Sequence, residues 1–250
     1  MIDRSEVCTL VPAAGRGSRL GGNCPKVFTP ITDSETIWSI LSSKLRVISD
    51  HHCLILNSKS YSDYKDTLDP NLNIALQDNP IGMGDAIFKG VKYFSKHKLL
   101  VIVWGDQVHV SQSTLERVVK MYSGEPNQIV LPLVSQESPY VEYIFEGEKL
   151  VNIKQQREGD ITEKGGFSDI GVFALTTNGL EKHWSEFLKE CKKGTETGEI
   201  NFLPFLTFLS QECFWKVNKL LISDPDEARG INTPEDLKYF REMYNEVSGT

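Results

Sequence analysis

"VCTLVPAAGRGSRLGGNCPK", residues 7–26, decides the fold. Residues 7–13 form a continuous apolar run that a glycine turn ends, the pattern of a short strand buried on both faces. A glycine-rich turn that leaves such a strand can point successive backbone N–H groups at phosphate oxygens. Two familiar phosphate loops do not fit. The dinucleotide fingerprint G-x-G-x-x-G is matched at Gly15 and Gly17 but has Leu20 at its third position, and the P-loop needs Lys-Ser/Thr where Asn23 follows Gly22. A third arrangement remains, in which Gly15 and Gly17 allow close backbone approach, Arg19 offers a fork of donors and Lys26 adds a point charge. Taken alone, the stretch reads equally as a tight turn with solvated cations.

Working outward, strands and helices alternate. Strands are expected at 52–57, 98–106 and 128–134, and helices at 35–48, 61–68, 83–94 and 113–122. That spacing predicts a mostly parallel sheet with helices on both faces. From residue 140 the texture changes. Residues 140–156 alternate apolar and polar around "EGEK", the mark of a hairpin. A strand at 167–176 and helices at 178–191 and 201–211 follow, and residues 231–244 read as a Thr-capped helix with Pro at its first position. The fold class is therefore α/β: a Rossmann-like open sheet with an inserted β lobe. We expect one domain over 1–250, with an α/β part at about 1–134, a lobe at about 135–210 and a C-terminal segment at 225–247.

The totals exclude several classes. A formal charge of −7 disfavours sequence-independent binding to nucleic acid, which needs a surplus of Lys and Arg. Locally the sign reverses, because Arg16, Arg19 and Lys26 stand with no acid between Glu6 and Asp33. No apolar run approaches the roughly 20 residues that span a bilayer, and the first residues lack a secretory h-region, so no membrane association is expected. Five scattered cysteines without a CxxC pair suggest reduced thiols and a cytoplasmic location. The histidines show no HExxH spacing and no G-x-S-x-G elbow is present, which disfavours zinc and serine hydrolase chemistry.

Five segments in order carry a resemblance. "PAAGRGSRLGGNCPK" (12–26) is similar to the "AAGxGTR…PK" loop of sugar-1-phosphate nucleotidyltransferases, with a MobA-like NTP transferase domain. The likeness is nearest to the N-acetylglucosamine-1-phosphate uridylyltransferase branch. "LQDNPIGMGDAI" (76–87) resembles its nucleobase segment and "VIVWGDQ" (101–107) its strand-ending Gly-Asp. "GEINFLPFL" (198–206) resembles a "GEYY" segment near the sugar, and "EARGINTPEDL" (227–237) the late "EGVNN" segment.

The resemblance implies roles. Ala13, Ala14, Gly15, Gly17, Gln77, Gly82 and Met83 would bind the nucleotide, with Gln77 and Gly82 reading the base. Arg19, Lys26 and Asp106 would be catalytic, and Asp106 with Asn232 would hold Mg²⁺. Gln155, Asp169 and Glu199 would contact the acceptor. Read singly, Asp106 is also a turn former, Asn232 a loop residue beside the Thr233 cap, and Gln77 a solvated strand end. Departures concentrate on the acceptor side. The family's sugar-lobe glutamate aligns with Gln155, its sugar-contacting asparagine with Asp169 and its base-segment threonine with Met83. Ile200 and Asn201 replace the tyrosines after Glu199, and the glycine of "GYGRI" is missing from "SPYVEYI". An acceptor other than N-acetylglucosamine 1-phosphate is therefore expected. No hexapeptide-repeat segment follows, so a second, acetyltransferase activity is not expected.

The implied reaction is transfer of a nucleoside monophosphate from an NTP, UTP first, to a small phosphorylated acceptor resembling a sugar 1-phosphate, with release of pyrophosphate. Two rivals remain: a CTP-dependent enzyme acting on an alcohol phosphate or phosphonate, and a non-catalytic nucleotide-binding domain. Oligomeric state is not legible.

Overall fold

The computed structural model describes residues 2–15, 20, 24–160, 165–191 and 193–248, with side chains to 244. Gly17 and Arg19 lie outside the described residues.

β1 (Val7–Pro12) is buried along its whole length. Its two faces feed two cores, Val7 and Val11 into one and Cys8 and Leu10 into the other. That division follows from the period-2 alternation of side chains along a strand. α1 (Ile37–Leu45) and β2 (His51–Leu56) follow, then α2 (Ser58–Tyr64) and β3 (Asn73–Leu76). The helix expected at 83–94 is two pieces, α3 (Met83–Lys89) and α4 (Val91–Phe94). They meet at Gly90, where an added Cβ would sit 2.5 Å from Leu10 Cδ1, so the break lets the chain press onto β1.

β4 (Leu99–Val103) is fully buried, and α5 (Gln112–Lys120) begins with a Ser111 cap. β5 (Gln128–Gln136) leads to the hairpin β6 (Val141–Glu146) and β7 (Lys149–Gln155). The strand expected at 167–176 is interrupted at Ile170–Gly171, giving β8 (Gly166–Asp169) and β9 (Val172–Thr176). Gly171 has a φ of +72°, a conformation that favours glycine. α6 (Leu180–Glu190), α7 (Leu203–Gln211), β10 (Lys216–Leu221) and α8 (Pro234–Ser248) complete the chain.

The strands form one open, ten-stranded sheet in the order β3-β2-β1-β4-β9-β5-β8-β6-β7, with β10 beside β5. β1 pairs in parallel with both β2 and β4, β2 with β3, and β10 with β5. β9 enters antiparallel between β4 and β5. The β6–β7 hairpin joins through β8, so the inserted lobe extends the same sheet. Its outer strand is closed off by α7: Ser210 Oγ accepts from Leu150 N, and Gln211 Nε2 donates to the Val151 carbonyl. α1, α5 and α8 contribute to one core and α3, α6 and α7 to the other, so helices cover both faces. Connections leave β1 toward β2 on one side and reach β4 on the other. This switch point opens a crevice at the carboxyl ends of β1 and β4, where open α/β sheets bind ligands.

Candidate functional site: two clefts that meet at Asp106

Three segments converge on the crevice. The first leaves β1 through Ala13 and Gly15 and returns at Lys26, which opens a short helical turn over Lys26–Phe28. The second leaves β4 as Trp104-Gly105-Asp106-Gln107, held by hydrogen bonds from Trp104 N to the Gly171 carbonyl (2.9 Å) and from Gln107 N to the Trp104 carbonyl (3.1 Å). The third carries Gly230-Ile231-Asn232 into α8, and Ile231 N donates to the Asp106 carbonyl at 3.1 Å.

Lys26 is the common point. Its Nζ lies 2.9 Å from Asp106 Oδ2 and 2.9 Å from Asn232 Oδ1. Residues 80 and 206 positions apart from Lys26 thus turn their oxygens onto one cation. Gly230 makes room, since a Cβ there would stand 3.1 Å from Asp106 Cγ.

Asn232 is positioned by the cap of α8. Asp236 Oδ2 accepts from the amides of Asn232 (3.1 Å) and Thr233 (3.0 Å), and Thr233 Oγ1 accepts from Asp236 N in return. Burial works to raise the Asp236 pKa, but these bonds, with those from the Thr233 hydroxyl and Arg229, outweigh it and hold the carboxyl below its usual range. The expected Thr-capped helix is present, with Pro234 at its first position.

Two hollows meet at this point. A smaller one of about 220 Å³ is lined by Ala13, Gly15 and Lys26, among others, and a larger one of about 680 Å³ by Gln107, Gln155, Asp169, Glu199 and Asn232. Met83, Trp104 and Asp106 belong to both. Ala13 and Gly15 therefore fall on one side of Asp106, and Gln155, Asp169 and Glu199 on the other. Ala14 lines a separate hollow of about 500 Å³ with Asn57, whose Nδ2 donates to the Ala14 carbonyl at 3.0 Å.

Gln77 and Gly82 are placed differently. Gln77 is buried, and its Nε2 donates to the Gly82 carbonyl (3.2 Å) and to Asp85 Oδ2 (2.8 Å), so it lines neither main hollow. Gly82 lies against Ile200, whose backbone an added Cβ would strike. Ile200 N donates to the Ile81 carbonyl and Gly84 N to the Ile200 carbonyl, which joins the 81–84 turn to the segment after Glu199.

On the acceptor side, Asp169 Oδ1 accepts from Gly171 N (2.7 Å) and Oδ2 from Tyr143 Oη (3.0 Å). Burial raises the Asp169 pKa above the usual carboxylate value, and the nearby Asp106 charge adds to the rise, while the Gly171 amide and Tyr143 hydroxyl oppose it. Arg157 and Gln107 also line the larger hollow and were given no role by the sequence reading. Arg157 is held by Asn201 Oδ1 and lies 3.8 Å from Glu199 Oε2. Gln107 stands directly after Asp106. Their only sequence signal was proximity to quoted segments.

A family model described as the MobA-like NTP transferase domain matches residues 9–183. The chain belongs to the MobA-like NTP transferase domain family. The match includes the crevice-forming ends of β1 and β4 and stops before Asn232. Among solved structures, a Bacillus anthracis protein assigned as a glucose-1-phosphate thymidylyltransferase, in complex with a sucrose, is similar at a TM-score of 0.73 and 16% identity, over 95% of this chain and 94% of that one. A nucleotidyl transferase from Methanothermobacter thermautotrophicus matches at 0.64 and 16%, over 97% and 99%. The 4-diphosphocytidyl-2C-methyl-D-erythritol synthase of Anaerococcus prevotii matches at 0.65 and 15%, over 97% and 100%. At such identities the likeness is one of fold, the open sheet of nucleotide-diphospho-sugar transferases.

Proposed function

We propose that this NTP transferase domain moves a nucleoside monophosphate from UTP to a small acceptor resembling a sugar 1-phosphate, releasing pyrophosphate. The observation that supports it most is the convergence of Asp106 and Asn232 on the Lys26 ammonium, between the two hollows. In this reading the smaller hollow, lined by Ala13, Gly15 and Met83, takes the nucleotide phosphates; Ala14, Gly17 and Arg19 also serve the nucleotide, and Gln77 and Gly82 shape the base site. The larger takes the acceptor, with Gln155, Asp169 and Glu199. Residues 1–134 act as the nucleotide half, 135–210 as the acceptor lobe, and 225–247 bring in Asn232. The placement nearest the N-acetylglucosamine-1-phosphate uridylyltransferase branch, and the choice of UTP, rest on the sequence segments alone.

Asp106 and Asn232 also suit a divalent cation. Their two oxygens already share one positive charge, that of the Lys26 ammonium. A pair of protein oxygens is what Mg²⁺ takes when phosphates and water supply its remaining positions. Bound there, Mg²⁺ would neutralise charge on the phosphates. An acceptor phosphate oxygen attacks the α-phosphorus, the α–β bridge bond breaks, and the electron pair leaves with pyrophosphate. The nucleophile is already anionic, so no general base is required. Lys26 and Arg19 orient the phosphates and offset charge at the reacting centre, where positioning and electrostatics supply most of catalysis. Among the described residues no helix is long and apolar enough to cross a membrane.

The test is pyrophosphate release with Mg²⁺ and each NTP against a panel of sugar 1-phosphates, alcohol phosphates and phosphonates. Release with UTP and a sugar 1-phosphate is expected. Release only with CTP and an alcohol phosphate or phosphonate would replace both substrates. Silence throughout would favour a domain that binds nucleotide without turnover.

A further inference from the structure

Four buried side-chain atoms among the described residues have no hydrogen-bond partner: His97 Nδ1, Gln107 Oε1, Glu142 Oε2 and Trp215 Nε1. Only Gln107 lines the larger hollow. It is 7% exposed, and its amide makes no hydrogen bond within the described residues. A buried carbonyl oxygen without a donor costs about what a lost hydrogen bond costs, so a fold that keeps one has a group waiting for a partner.

The surroundings are shaped to the side chain. A Cβ at Gly171 would collide with Gln107 Cγ and stand 2.8 Å from Nε2, and a Cβ at Gly230 would stand 3.2 Å from Nε2. Two glycines from different loops therefore leave space for this amide. One is beside Asp169, which lines the same hollow, and the other beside Asn232. The amide sits one residue from Asp106 and supplies no bond to the fold.

We infer that Gln107 is a specificity-determining residue whose side-chain amide hydrogen-bonds a hydroxyl close to the acceptor's phosphate. The inference rests on the assignment of the larger hollow to the acceptor. It narrows the acceptor to one that carries a hydroxyl near the phosphate, as a sugar 1-phosphate does through its 2-hydroxyl, and excludes plain alkyl phosphates. A site built to bond a hydroxyl discriminates strongly against the analogue without it, because its own polar group is then left unpaired.

The test is Gln107→Met, which keeps the length of the side chain and removes the amide. Urea unfolding is read alongside turnover of whichever sugar 1-phosphate proves the best acceptor and of its 2-deoxy analogue. We expect a urea midpoint equal to or above that of wild type, unchanged UTP binding by calorimetry, and a fall of at least tenfold in kcat/KM for the hydroxylated acceptor. The wild-type preference over the deoxy analogue should disappear in the variant. A lowered midpoint would mean that the amide serves the fold, and an undiminished preference would mean that it does not read the hydroxyl; either overturns the inference. If no acceptor turns over at all, the proposed reaction fails separately. Calorimetric binding of glucose 1-phosphate and 2-deoxyglucose 1-phosphate then decides this inference: equal binding by wild type, or none, overturns it.

Discussion

Lys26 does two jobs in this arrangement. It links the β1 loop to Asp106 and Asn232, and it brings a cation to Asp106, which lines both hollows. Its Nζ–Asp106 pair is only partly exposed, with side chains 25% and 17% accessible, so water screens it less than a surface pair. Replacing Lys26 with Met should leave the fold and far-UV spectrum unchanged and lower kcat by about 100-fold or more, the usual effect of removing one donor from a charged transition state. Steady-state pyrophosphate release checks this, and a variant retaining wild-type kcat would remove Lys26 from the chemistry. The residue scale is also where the sequence was least legible. Asp106 and Asn232 could be named because they close recognisable segments. Nothing in a string of letters shows that the Gln107 amide lacks a partner, or that the Gln77 amide is already committed to Gly82 and Asp85. Those facts depend on which neighbours the fold supplies.

At the scale of elements, the loops that carry Asp106 and Asn232 are held from behind by a buried carboxylate. Glu227, in the short turn over Pro225–Ala228, accepts from Ser111 N (3.0 Å), Ser111 Oγ (3.1 Å) and Thr114 Oγ1 (2.9 Å) at the start of α5. Lys44 of α1 reaches the same region and donates to the carbonyls of Val108 and Val110. Burial lowers the Lys44 pKa, and the charge of Glu227 opposes that drop. The segments after Asp106 and before Asn232 are thereby tied together. Glu227→Ala should cost about 2–4 kcal/mol, since it leaves the Ser111 amide and the Ser111 and Thr114 hydroxyls without their buried acceptor and removes a charge that stabilises the Lys44 ammonium, and the urea midpoint measures it. A change within about 0.5 kcal/mol, the usual range for a surface position, would show that the tie is dispensable. The elements most plainly read from sequence were the buried runs of β1, β2, β4 and β5 and the capped α8. β3 and β10 were not foreseen. β3 has only four residues, and β10, "KVNKLL", mixes lysines into a strand that pairs on one side only. Neither has the continuous apolar run that marks a strand buried in the middle of a parallel sheet. The break at Gly90 was missed because it answers to Leu10, a contact across the sheet rather than along the chain.

For the molecule as a whole, part of the acid sensitivity follows from one histidine. Burial and the positive charge of Arg46 push the His52 pKa down from 6.5 to about 4. Its Nδ1 lies 2.7 Å from Thr9 Oγ1 within the sheet. Above pH 6.5 the ring is neutral in both folded and unfolded chains and adds no pH dependence. Between 6.5 and about 4 the unfolded chain takes up the proton first, so stability falls as pH falls, and it levels off below about 4. Urea midpoints between pH 7 and pH 4 should show this slope, and His52→Gln should flatten it. An identical slope in the variant would assign the acid sensitivity elsewhere.

In the proposed reaction, nucleotide and acceptor occupy neighbouring hollows and react across Asp106. Phosphorus NMR of the full-length protein with Mg²⁺, UTP and a hydroxylated sugar 1-phosphate tests this most directly, with Asp106→Asn run in parallel. The account predicts that wild type converts the UTP signals into pyrophosphate and a new diphosphate diester, and that Asp106→Asn does so at least about 100-fold more slowly. Equal rates in the two proteins, or pyrophosphate formed without the acceptor appearing in the diester, would contradict it.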